Sequence, residues 1–386
     1  MVEWKRIKDI CSNIFAGGTP STKRKDYYDG DIPWIRSGEI DFNVIKNAER
    51  NITELGYKES SAKMIRKNSV VMAMTGATVA KSAVVSIETT ANQSVCAMET
   101  DEKIANFKFV YYFLAEDYFK IKSSAQGALT SLNLAMIKNI LIPIPSLSEQ
   151  KRIVETLDTF TASIDNLKEQ ITLRKKQYEH YRDYLLSFEG RDDVEWKHIA
   201  EIKEDVFSGA TPSTKEPRYW DGGTIPWMSS GEVHQGEVLY VEKKITEEGY
   251  NHSSTRMVPI NSVVVALAGQ GKTRGTVAIT RTELCTNQSL CAIVTDKRKM
   301  NSNFLYYFLS SKYNELRRVS SGDGTRGGLN LQMINDFKVP VPSLSEQQQI
   351  FENLSVMTSL ISALEQEKAL RQKQYEYYRE KLLTFE

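Results

Sequence analysis

Apolar residues recur at alternating steps of four and three along two long stretches of the chain. In the first stretch they are Ile153, Leu157, Phe160, Ile164, Leu167, Ile171, Tyr178, Tyr181, Leu185 and Phe188. In the second they are Ile350, Leu354, Met357, Ile361, Leu364, Tyr375, Tyr378, Leu382 and Phe385. This heptad pattern predicts two helices, each with an apolar seam that needs a partner stripe. Two matching helices in one chain therefore predict an intramolecular coiled coil.

Both helices are predicted to begin in the same way. A Pro-x-Pro approach leads to a capping box, Ser146 with Glu149 and Ser343 with Glu346, in which each glutamate would reach back to the first turn. Arg174 and Arg371 interrupt the two seams at equivalent positions, and we interpret them as register devices. Off-seam leucines, exemplified by Leu186, Leu370 and Leu383, are predicted to remain available to a partner protein.

The helices belong to a longer internal repeat. The motifs Val-Glu-Trp-Lys, Phe-x-Gly-x-Thr-Pro-Ser-Thr-Lys, Ile-Pro-Trp-x-x-Ser-Gly-Glu and Asn-Gln-Ser-x-Cys-Ala each occur twice, in the same order. The chain is therefore predicted to be one module used twice. The predicted boundaries are a globular domain at residues 1–145, a helix at 146–189, a second globular domain at 190–342 and a second helix at 343–386.

Each globular part predicts an α+β fold. Short β-rich runs such as Ser69–Met74 are punctuated by Gly, Pro, Ser and Thr, and aromatic helical segments follow near Phe107–Ala115 and Asn303–Ser310. The repeated tryptophans (Trp4, Trp34, Trp196 and Trp227) and the repeated thiols (Cys96 and Cys291) are predicted to pack in the cores. The repeated Asn92-Gln93 and Asn287-Gln288 pairs are predicted to tie a loop to the scaffold.

Helix length limits how the two helices can pair. Each predicted helix is roughly 60 Å long at about 1.5 Å per residue, whereas a globular domain of this size is roughly 40 Å across. A parallel pairing would require the second domain to return the chain along the full helix. The prediction is therefore an antiparallel pair with approximate two-fold symmetry and one globular domain at each end.

Composition narrows the functional class. Fifty Lys and Arg residues nearly balance 49 Asp and Glu residues, so a nucleic-acid binder would have to concentrate its positive charge on one face. The apolar runs are too short to cross a bilayer and the N-terminal segment is polar, so we expect a cytoplasmic protein without a membrane partner. The four cysteines lack paired spacing, which favours buried reduced thiols over metal ligands.

Catalytic motifs are missing from the sequence. There is no Asn/Asp-Pro-Pro-aromatic tetrad and no glycine loop for S-adenosylmethionine, and the four histidines form no metal-binding or triad pattern. The segment Ala266–Thr273, with its Gly-Lys-Thr ending, approaches a phosphate-binding loop but has alanine in place of the leading glycine. We therefore expect no cofactor, and we interpret the segment as a glycine-permitted loop rather than a nucleotide site.

The duplicated order of these motifs resembles the specificity subunit of type I restriction–modification enzymes. The carrying residues are the Pro-x-Pro-Ser-Leu-Ser-Glu-Gln entry to each helix and the Gly-x-Thr-Pro-Ser-x-Lys opening of each globular part. The resemblance implies two target recognition domains, each reading one half of a bipartite site in double-stranded DNA. It also implies that the helices set the gap and dock two DNA adenine methyltransferase subunits, that restriction subunits join them, and that the subunit itself is not catalytic.

Candidate DNA contacts follow from comparison of the two halves. Hydroxyl and basic residues shared by both halves are candidate phosphate contacts: Thr19, Ser21, Thr22, Lys23, Thr211, Ser213, Thr214, Lys215, and Lys81 matched to Arg274. Lys272, in the Gly-Lys-Thr loop of the second half alone, is a further candidate phosphate contact. Loop residues that differ between the halves are candidate base readers: Arg36 against Ser229, Thr78 against Gly271, and Gln126 against the loop carrying Arg326, with Ser37 and Ser230 beside them. For each position the alternative is an ordinary solvated surface or turn residue.

Three other functions stay open from the sequence alone. The same architecture could serve as the specificity chain of a type II enzyme that reads a bipartite site. A coiled-coil adaptor whose end domains bind proteins is a second alternative. A nucleotide hydrolase built on the Gly-Lys-Thr loop is the third.

Overall fold

The computed structural model describes residues 2–125, 131–269, 272–320 and 328–385. The chain divides into two compact units. Unit 1 comprises Met1–Glu169 and Glu365–Glu386, and unit 2 comprises Gln170–Leu364. The division runs through both long helices, so each unit holds one globular part and a portion of each helix.

Besides two 3-10 turns at Lys25–Tyr27 and Ser37–Glu39, the first module contains ten strands and six α-helices in its described residues. They are β1 (Glu3–Arg6), α1 (Ile7–Ile10), β2 (Cys11–Ala16), β3 (Tyr28–Ile35), β4 (Val44–Ile45), β5 (Arg50–Ile52), α2 (Glu54–Lys58), β6 (Val70–Ala73), β7 (Ser82–Val85), β8 (Thr90–Ala91), β9 (Val95–Thr100), α3 (Phe107–Glu116), α4 (Tyr118–Ser123), α5 (Leu134–Lys138), β10 (Leu141–Ile144) and the long helix α6 (Leu147–Leu185). Three sheets result, with strand orders β2-β9-β6-β7-β4, β5-β3-β8 and β1-β10.

The second module repeats this order with one added strand, β16. Its elements are β11 (Glu195–His198), α7 (Ile199–Ile202), β12 (Lys203–Ser208), β13 (Ile225–Met228), β14 (Glu237–Val238), β15 (Lys244–Ile245), α8 (Glu247–Asn251), β16 (Met257–Val258), β17 (Val263–Ala266), β18 (Val277–Thr280), β19 (Leu284–Thr286), β20 (Leu290–Thr295), α9 (Ser302–Ser311), α10 (Tyr313–Val319), α11 (Leu331–Asn335), β21 (Lys338–Val341) and the long helix α12 (Leu344–Leu383). Its sheets have strand orders β12-β20-β17-β18-β14, β15-β13-β19-β16 and β11-β21. The predicted α+β modules are confirmed.

The five-stranded sheet of each unit is buried on both faces. In β6, Val70 and Met72 belong to one apolar cluster while Val71 and Ala73 belong to another. Successive side chains of a strand point to opposite faces, so a strand covered on both sides reads as a continuous apolar run. The Val-Val-Val-Ala sequence of β17 is divided between two clusters in the same way.

The long helices pack antiparallel in each unit. In unit 1, Ile153 and Leu157 near the start of α6 share a core cluster with Leu383 at the end of α12. The ring of Phe160 stacks on that of Tyr378, with centroids 5.3 Å apart. In unit 2, Ile350 and Leu354 near the start of α12 belong to a core cluster against which Leu185 at the end of α6 packs. The predicted antiparallel pairing is confirmed.

The helix starts differ from the predicted capping box. The hydroxyl of Ser146 accepts a hydrogen bond from the Glu149 amide at 3.3 Å, as expected of an N-cap. The Glu149 carboxylate, however, binds Arg152 at 2.6 and 2.8 Å, and the Glu346 carboxylate binds Arg191 at 2.5 Å. The predicted return contacts of the glutamates are therefore wrong, because cations on the next turn and in the inter-module joint compete for them.

A buried glutamine anchors each helix start to its globular part. Gln150 is fully buried; its carboxamide oxygen accepts from the Asn106 amide at 2.8 Å, and its nitrogen donates to the Ile104 and Pro145 carbonyls at 3.1 and 2.9 Å. The equivalent Gln347 makes the same three bonds at 2.7, 3.1 and 2.8 Å. The last residue of each Ser-Leu-Ser-Glu-Gln motif therefore joins two structural elements.

Two predictions about apolar residues are corrected. Leu186 and Leu383 are 5% and 3% exposed and belong to globular cores, so they are not available to a partner, whereas Leu370 is exposed. Trp4 and Trp196 are about two-fifths exposed, so the prediction of core packing is wrong for them; each lies on a two-stranded sheet and meets a phenylalanine ring edge-on. Within the described residues, no helix is long and apolar enough to cross a membrane.

Candidate nucleic-acid interface

A buried tryptophan supports the Thr-Pro-Ser-Thr-Lys loop of each unit. Trp34 is 5% exposed and its indole nitrogen donates to the Gly18 carbonyl at 3.0 Å. Trp227 is 4% exposed and donates to the Ala210 carbonyl at 3.0 Å. Core packing is therefore confirmed for these two tryptophans, whose one polar atom fixes the base of the loop.

A glutamine holds the same loop from the side. The Thr19 hydroxyl donates to the Gln93 carboxamide oxygen, and the Thr211 hydroxyl donates to that of Gln288 at 2.6 Å. The backbone amide of Asn92 donates to the Ile35 carbonyl at the end of β3, and that of Asn287 donates to the Met228 carbonyl at the end of β13. The prediction that the repeated Asn-Gln pairs tie a loop to the scaffold is confirmed.

The tip of this loop is exposed in both units. In unit 1 the Arg24 amide donates to the Ser21 carbonyl at 3.0 Å and closes the turn. In unit 2 the Glu216 amide donates to the Ser213 carbonyl at 3.3 Å in the same way. The exposed side chains at the tips are those of Ser21, Thr22, Lys23, Ser213, Thr214 and Lys215. Hydroxyl and ammonium groups on a fixed turn are suited to phosphate contact, and they equally suit a solvated turn.

A glutamate organises the next candidate segment of unit 1. The amide of Arg36 donates to one carboxylate oxygen of Glu39 at 2.8 Å, and the amide of Glu49 donates to the other at 3.0 Å. The Arg36 guanidinium also forms an ion pair with Glu49. Arg36 is therefore held beside two carboxylates rather than extended into solvent.

Unit 2 has the same clamp with a hydroxyl in place of the arginine. The amide and the hydroxyl of Ser229 both donate to one oxygen of Glu232, at 2.7 and 3.0 Å. The amide of Glu242 donates to the other oxygen at 3.1 Å. Ser37 and Ser230, the next residues in the two units, are partly exposed.

The β6–β7 and β17–β18 turns correct the predicted matching of their residues. The Ala73 amide donates to the Lys81 carbonyl at 3.0 Å, and the Ala266 amide donates to the Thr276 carbonyl at 2.9 Å. Lys81 therefore corresponds to Thr276, and the prediction that it matches Arg274 is wrong. The physical reason is an insertion of two residues in the second turn, which sequence matching had placed after the turn.

The same insertion shifts the predicted partner of Thr78. The carbonyls of Thr78 and Thr273 accept equivalent turn hydrogen bonds of 2.9 and 3.0 Å, so Thr78 matches Thr273 rather than Gly271. The Thr78 hydroxyl donates to the Ser37 carbonyl at 2.7 Å. The Thr273 hydroxyl lies 3.3 Å from the imidazole Nε2 of His234. The turn of unit 1 therefore contacts the segment just before Glu39, and the turn of unit 2 contacts the segment just after Glu232.

The basic candidates differ in their surroundings. The Lys81 ammonium lies 2.5 Å from Asp41 and 5.7 Å from the centre of the Phe42 ring. The Lys272 side chain is exposed, and its backbone carbonyl accepts a 2.9 Å hydrogen bond from the Tyr313 hydroxyl. The Arg274 carbonyl accepts from a side chain of α10 at 3.4 Å. Gln126 and Arg326 lie outside the described residues.

A further matched pair of cations was missed from the sequence. Lys63 lies 5.5 Å from the centre of the Phe15 ring, and Arg256 lies 3.8 Å from that of Phe207. A Cβ on Gly18 would touch the backbone of Ser61, so the Lys63 segment lies against the Thr-Pro-Ser-Thr-Lys loop. The repeat alignment contained this signal, since lysine and arginine stand at equivalent positions.

The Gly-Lys-Thr segment is not a phosphate-binding loop of the nucleotide-hydrolase type. Such a loop joins a strand to the N-terminus of a helix. Here it joins β17 to β18, which pair as an antiparallel hairpin with Val265 opposite Val277. In the described residues after Lys272, a strand follows instead of a helix, so the helix dipole that would help to bind a triphosphate is missing.

Comparison with known proteins identifies the family. The model of the type I restriction modification DNA specificity domain matches residues 1–174 and 191–372. The specificity subunit of the type I restriction enzyme EcoR124I/EcoR124II from Escherichia coli is 32% identical over 378 residues, which are 94% of this chain and 89% of that protein. A putative type I specificity subunit from Haemophilus influenzae is 26% identical over 407 residues, covering 100% of this chain and 96% of that protein.

Solved structures share the fold. The type I S subunit from M. genitalium superposes with a TM-score of 0.67 at 16% identity, covering 100% of this chain and 97% of that one. The HsdS subunit from Thermoanaerobacter tengcongensis superposes with a TM-score of 0.52 at 18% identity, covering 99% and 96%. With two matched specificity domains and a relative aligned over nearly its whole length, the chain belongs to the family of type I restriction–modification DNA specificity subunits.

Proposed function

We propose that this chain is a non-catalytic subunit that reads a bipartite site in double-stranded DNA, with each globular part reading one half. One observation carries the proposal: the two units repeat the same scaffold but differ in the side chains on their loops. The loop supports Trp34 and Trp227 are identical, whereas Arg36 is replaced by Ser229. A shared scaffold with different loops suits two readers of different sequences.

Phosphate contact and base reading would fall to different residues. The exposed Lys23 and Lys215 stand at matched turn tips, where a cation orients the duplex without selecting its sequence. Arg36 has the two-pronged donor geometry that reads guanine in the major groove, while Ser229 offers a single hydroxyl. Reading by Arg36 requires it to exchange its ion pair with Glu49 for a base.

The long helices would set the gap between the two half-sites. Helix α6 contains 39 residues, so it is roughly 58 Å long at about 1.5 Å per residue. By chain connectivity, one globular part precedes this helix and the other follows it. Inserting one heptad into both helices is expected to lengthen the preferred gap, and an unchanged gap would contradict this role.

The helices would also dock two DNA adenine methyltransferase subunits, to which restriction subunits attach. In unit 2 a groove of about 470 Å³ lies between the two helices and is lined by Arg174, Tyr181, Tyr184, Val356, Met357 and Leu360. Exposed Tyr184 and Val356, 72% and 68% accessible, are apolar surface that a partner would cover. In this assembly the partner subunits supply the methyl transfer and the cleavage.

Domain exchange tests the proposal. The chain is produced with its methyltransferase subunits, and methylated adenines are mapped genome-wide in cells with and without it. We expect one bipartite motif to lose methylation when the gene is absent. Replacing residues 1–145 with the corresponding part of another specificity subunit should change one half of that motif and leave the other half intact.

Two results would contradict the proposal. An unchanged methylation pattern without the chain would remove its role in specificity. A domain exchange that changes both halves, or neither, would show that the globular parts do not read separately. The reciprocal exchange of residues 190–342 is the matched control, because it should change the other half of the same motif.

A further inference from the structure

A closed loop follows the glutamate in each unit. The glutamates Glu39 and Glu232 bridge amides on both sides of residues 40–48 and 233–241, so each loop leaves and returns at one carboxylate. The Glu39 side chain is only 9% exposed. A carboxylate that accepts two backbone N–H groups holds both strands of the loop base with charge-assisted hydrogen bonds.

A short strand anchors the middle of each loop. Val44 and Ile45 pair with β7 at the edge of the five-stranded sheet, and Val238 pairs with β18 in the same way. Ile45 and Val238 are buried, at 3% and 0% exposure. The stretch beyond this anchor is therefore fixed at both of its ends and short, which limits the directions its side chains can take.

The tips beyond the anchors differ in chemistry and are exposed. Unit 1 presents Lys46, whose ammonium group donates hydrogen bonds, and Asn47, whose carboxamide both donates and accepts them. Unit 2 presents Leu239 and Tyr240 at the equivalent positions, with 67% and 69% exposure. Two adjacent large apolar side chains at such exposure form a small apolar patch, which a partner surface can cover.

We propose that these tips are specificity-determining DNA contacts and that Glu39 and Glu232 are the residues that position them. The inference rests on the proposed function. Lys46 and Asn47 would hydrogen-bond base edges or adjacent phosphate in one half-site. Leu239 and Tyr240 would pack against the bases of the other half-site, where apolar groups select by shape and by ease of unstacking.

A carboxamide separates positioning from simple occupancy of space. Glu39→Gln and Glu232→Gln keep the side-chain volume but replace one acceptor oxygen with an NH2 group, which faces a backbone N–H. One side of the loop base then opens while the buried volume stays filled. The matched control is Glu54→Gln, since Glu54 is an exposed helix residue whose partner Lys58 lies one turn away at 3.4 Å.

The experiment measures half-site discrimination by the full assembly of this chain with its methyltransferase subunits. Kd is determined for a duplex carrying the complete site and for duplexes with one base pair changed in either half. The ratio of the two Kd values for each half is the readout. A variant that only lowers the folded fraction changes both Kd values together and leaves these ratios as they were.

Reciprocal effects are expected. Glu39→Gln and the Lys46→Ala/Asn47→Ala double variant should lower discrimination in one half-site by about tenfold, the size of one lost base-pair contact, and leave the other half unchanged. Glu232→Gln and the Leu239→Ala/Tyr240→Ala double variant should do the opposite. Glu54→Gln should change neither ratio.

The outcomes that overturn the inference differ from those that overturn the proposed function. Unchanged ratios in both tip variants would remove the tips as contacts. Altered ratios in the tip variants but not in the glutamine variants would remove the positioning role. If exchange of residues 1–145 alters one half-site while every tip ratio is unchanged, the proposed function stands and this inference fails.

Discussion

The two units share the contacts that build a loop and differ in the side chains that the loop presents. Thr19 with Gln93 repeats as Thr211 with Gln288, and both glutamate clamps bridge the same pair of amides. At the exposed positions, Lys46 and Asn47 become Leu239 and Tyr240, and the β17–β18 turn gains two residues. The comparison teaches that the fold tolerates change where side chains point outward, because only the anchoring atoms must keep their places.

The helix pair shows a second difference. In unit 1, the rings of Phe160 and Tyr378 stack, with centroids 5.3 Å apart. In unit 2, the equivalent residues Met357 and Tyr181 line an open groove. The same heptad pattern therefore carries a stacked aromatic pair in one unit and borders an open groove in the other, where a methionine stands in place of Phe160.

The largest expected effect is on the glutamine anchors that both units share. Gln150→Leu or Gln347→Leu leaves one amide and two carbonyls without their partner, and each buried unsatisfied group costs about 1–3 kcal/mol. We expect the free energy of unfolding to fall by about 4 kcal/mol for either variant, measured by urea titration. The exposed Gln372→Leu is the control; a similar loss there would show that the anchors are not special.

The next effect concerns the glycine that precedes each Thr-Pro-Ser-Thr-Lys loop. A Cβ on Gly209 would lie 1.8 Å from the Thr286 carbonyl oxygen, and one on Gly17 would lie 2.3 Å from that of Ala91. Gly→Ala at either position should lower the free energy of unfolding by about 3 kcal/mol through overpacking against backbone. Gly38→Ala, which meets nothing within 4 Å, should stay within about 0.5 kcal/mol.

A smaller effect should separate the two halves of the helix seam. Phe160→Ala removes a ring stacked on Tyr378 and should cost about 2 kcal/mol. Met357→Ala, at the equivalent position, borders an open groove and should cost about 1 kcal/mol. Urea unfolding of both variants checks the order. Equal losses would show that the stacked pair and the groove residue contribute alike.

The smallest effect concerns the two buried thiols at equivalent positions of the repeat, Cys96 and Cys291. Burial raises the pKa of both Cys96 and Cys291 to about 12. An unfolded thiol has a pKa of about 8.5. The contribution of the protonated thiols to the free energy of unfolding is therefore complete below that pH and is lost as the pH rises towards 12. Both thiols should resist alkylation at pH 8 in the folded chain and react after unfolding, as counted by mass spectrometry. Rapid alkylation of only one would break the equivalence of the two cores.

Much of the fold followed from periodicity and repetition. The heptad seams predict two long helices, the matched motifs predict two modules, and the helix length predicts the antiparallel pairing. The aromatic segments at 107–115 and 303–310 fall within α3 and α9. These features depend on local spacing and chain length, which a sequence displays directly.

The candidate site was less accessible to sequence reasoning. The equivalence of Lys81 with Thr276 depends on backbone hydrogen bonds across a turn, and a two-residue insertion makes the matching motifs misleading there. The tips at Lys46 and Leu239 carry no sequence motif. They stand out only because the backbone amides of Glu49 and Glu242 bind the Glu39 and Glu232 carboxylates and close the two loops. The exposure of Trp4 depends on its position on an edge sheet, which its repetition cannot reveal.

The sequence by itself determined that the chain is a duplicated module with two long helices, because spacing and repetition need no knowledge of distant contacts. Only the tertiary structure decided which side chains become anchors and which face outward. Gln150 acts through a group 44 residues away, and Trp34 and Glu39 act through groups 16 and 10 residues away. A hydrogen bond across such a separation exists only once the sheets have formed, since folding alone brings its donor and acceptor together.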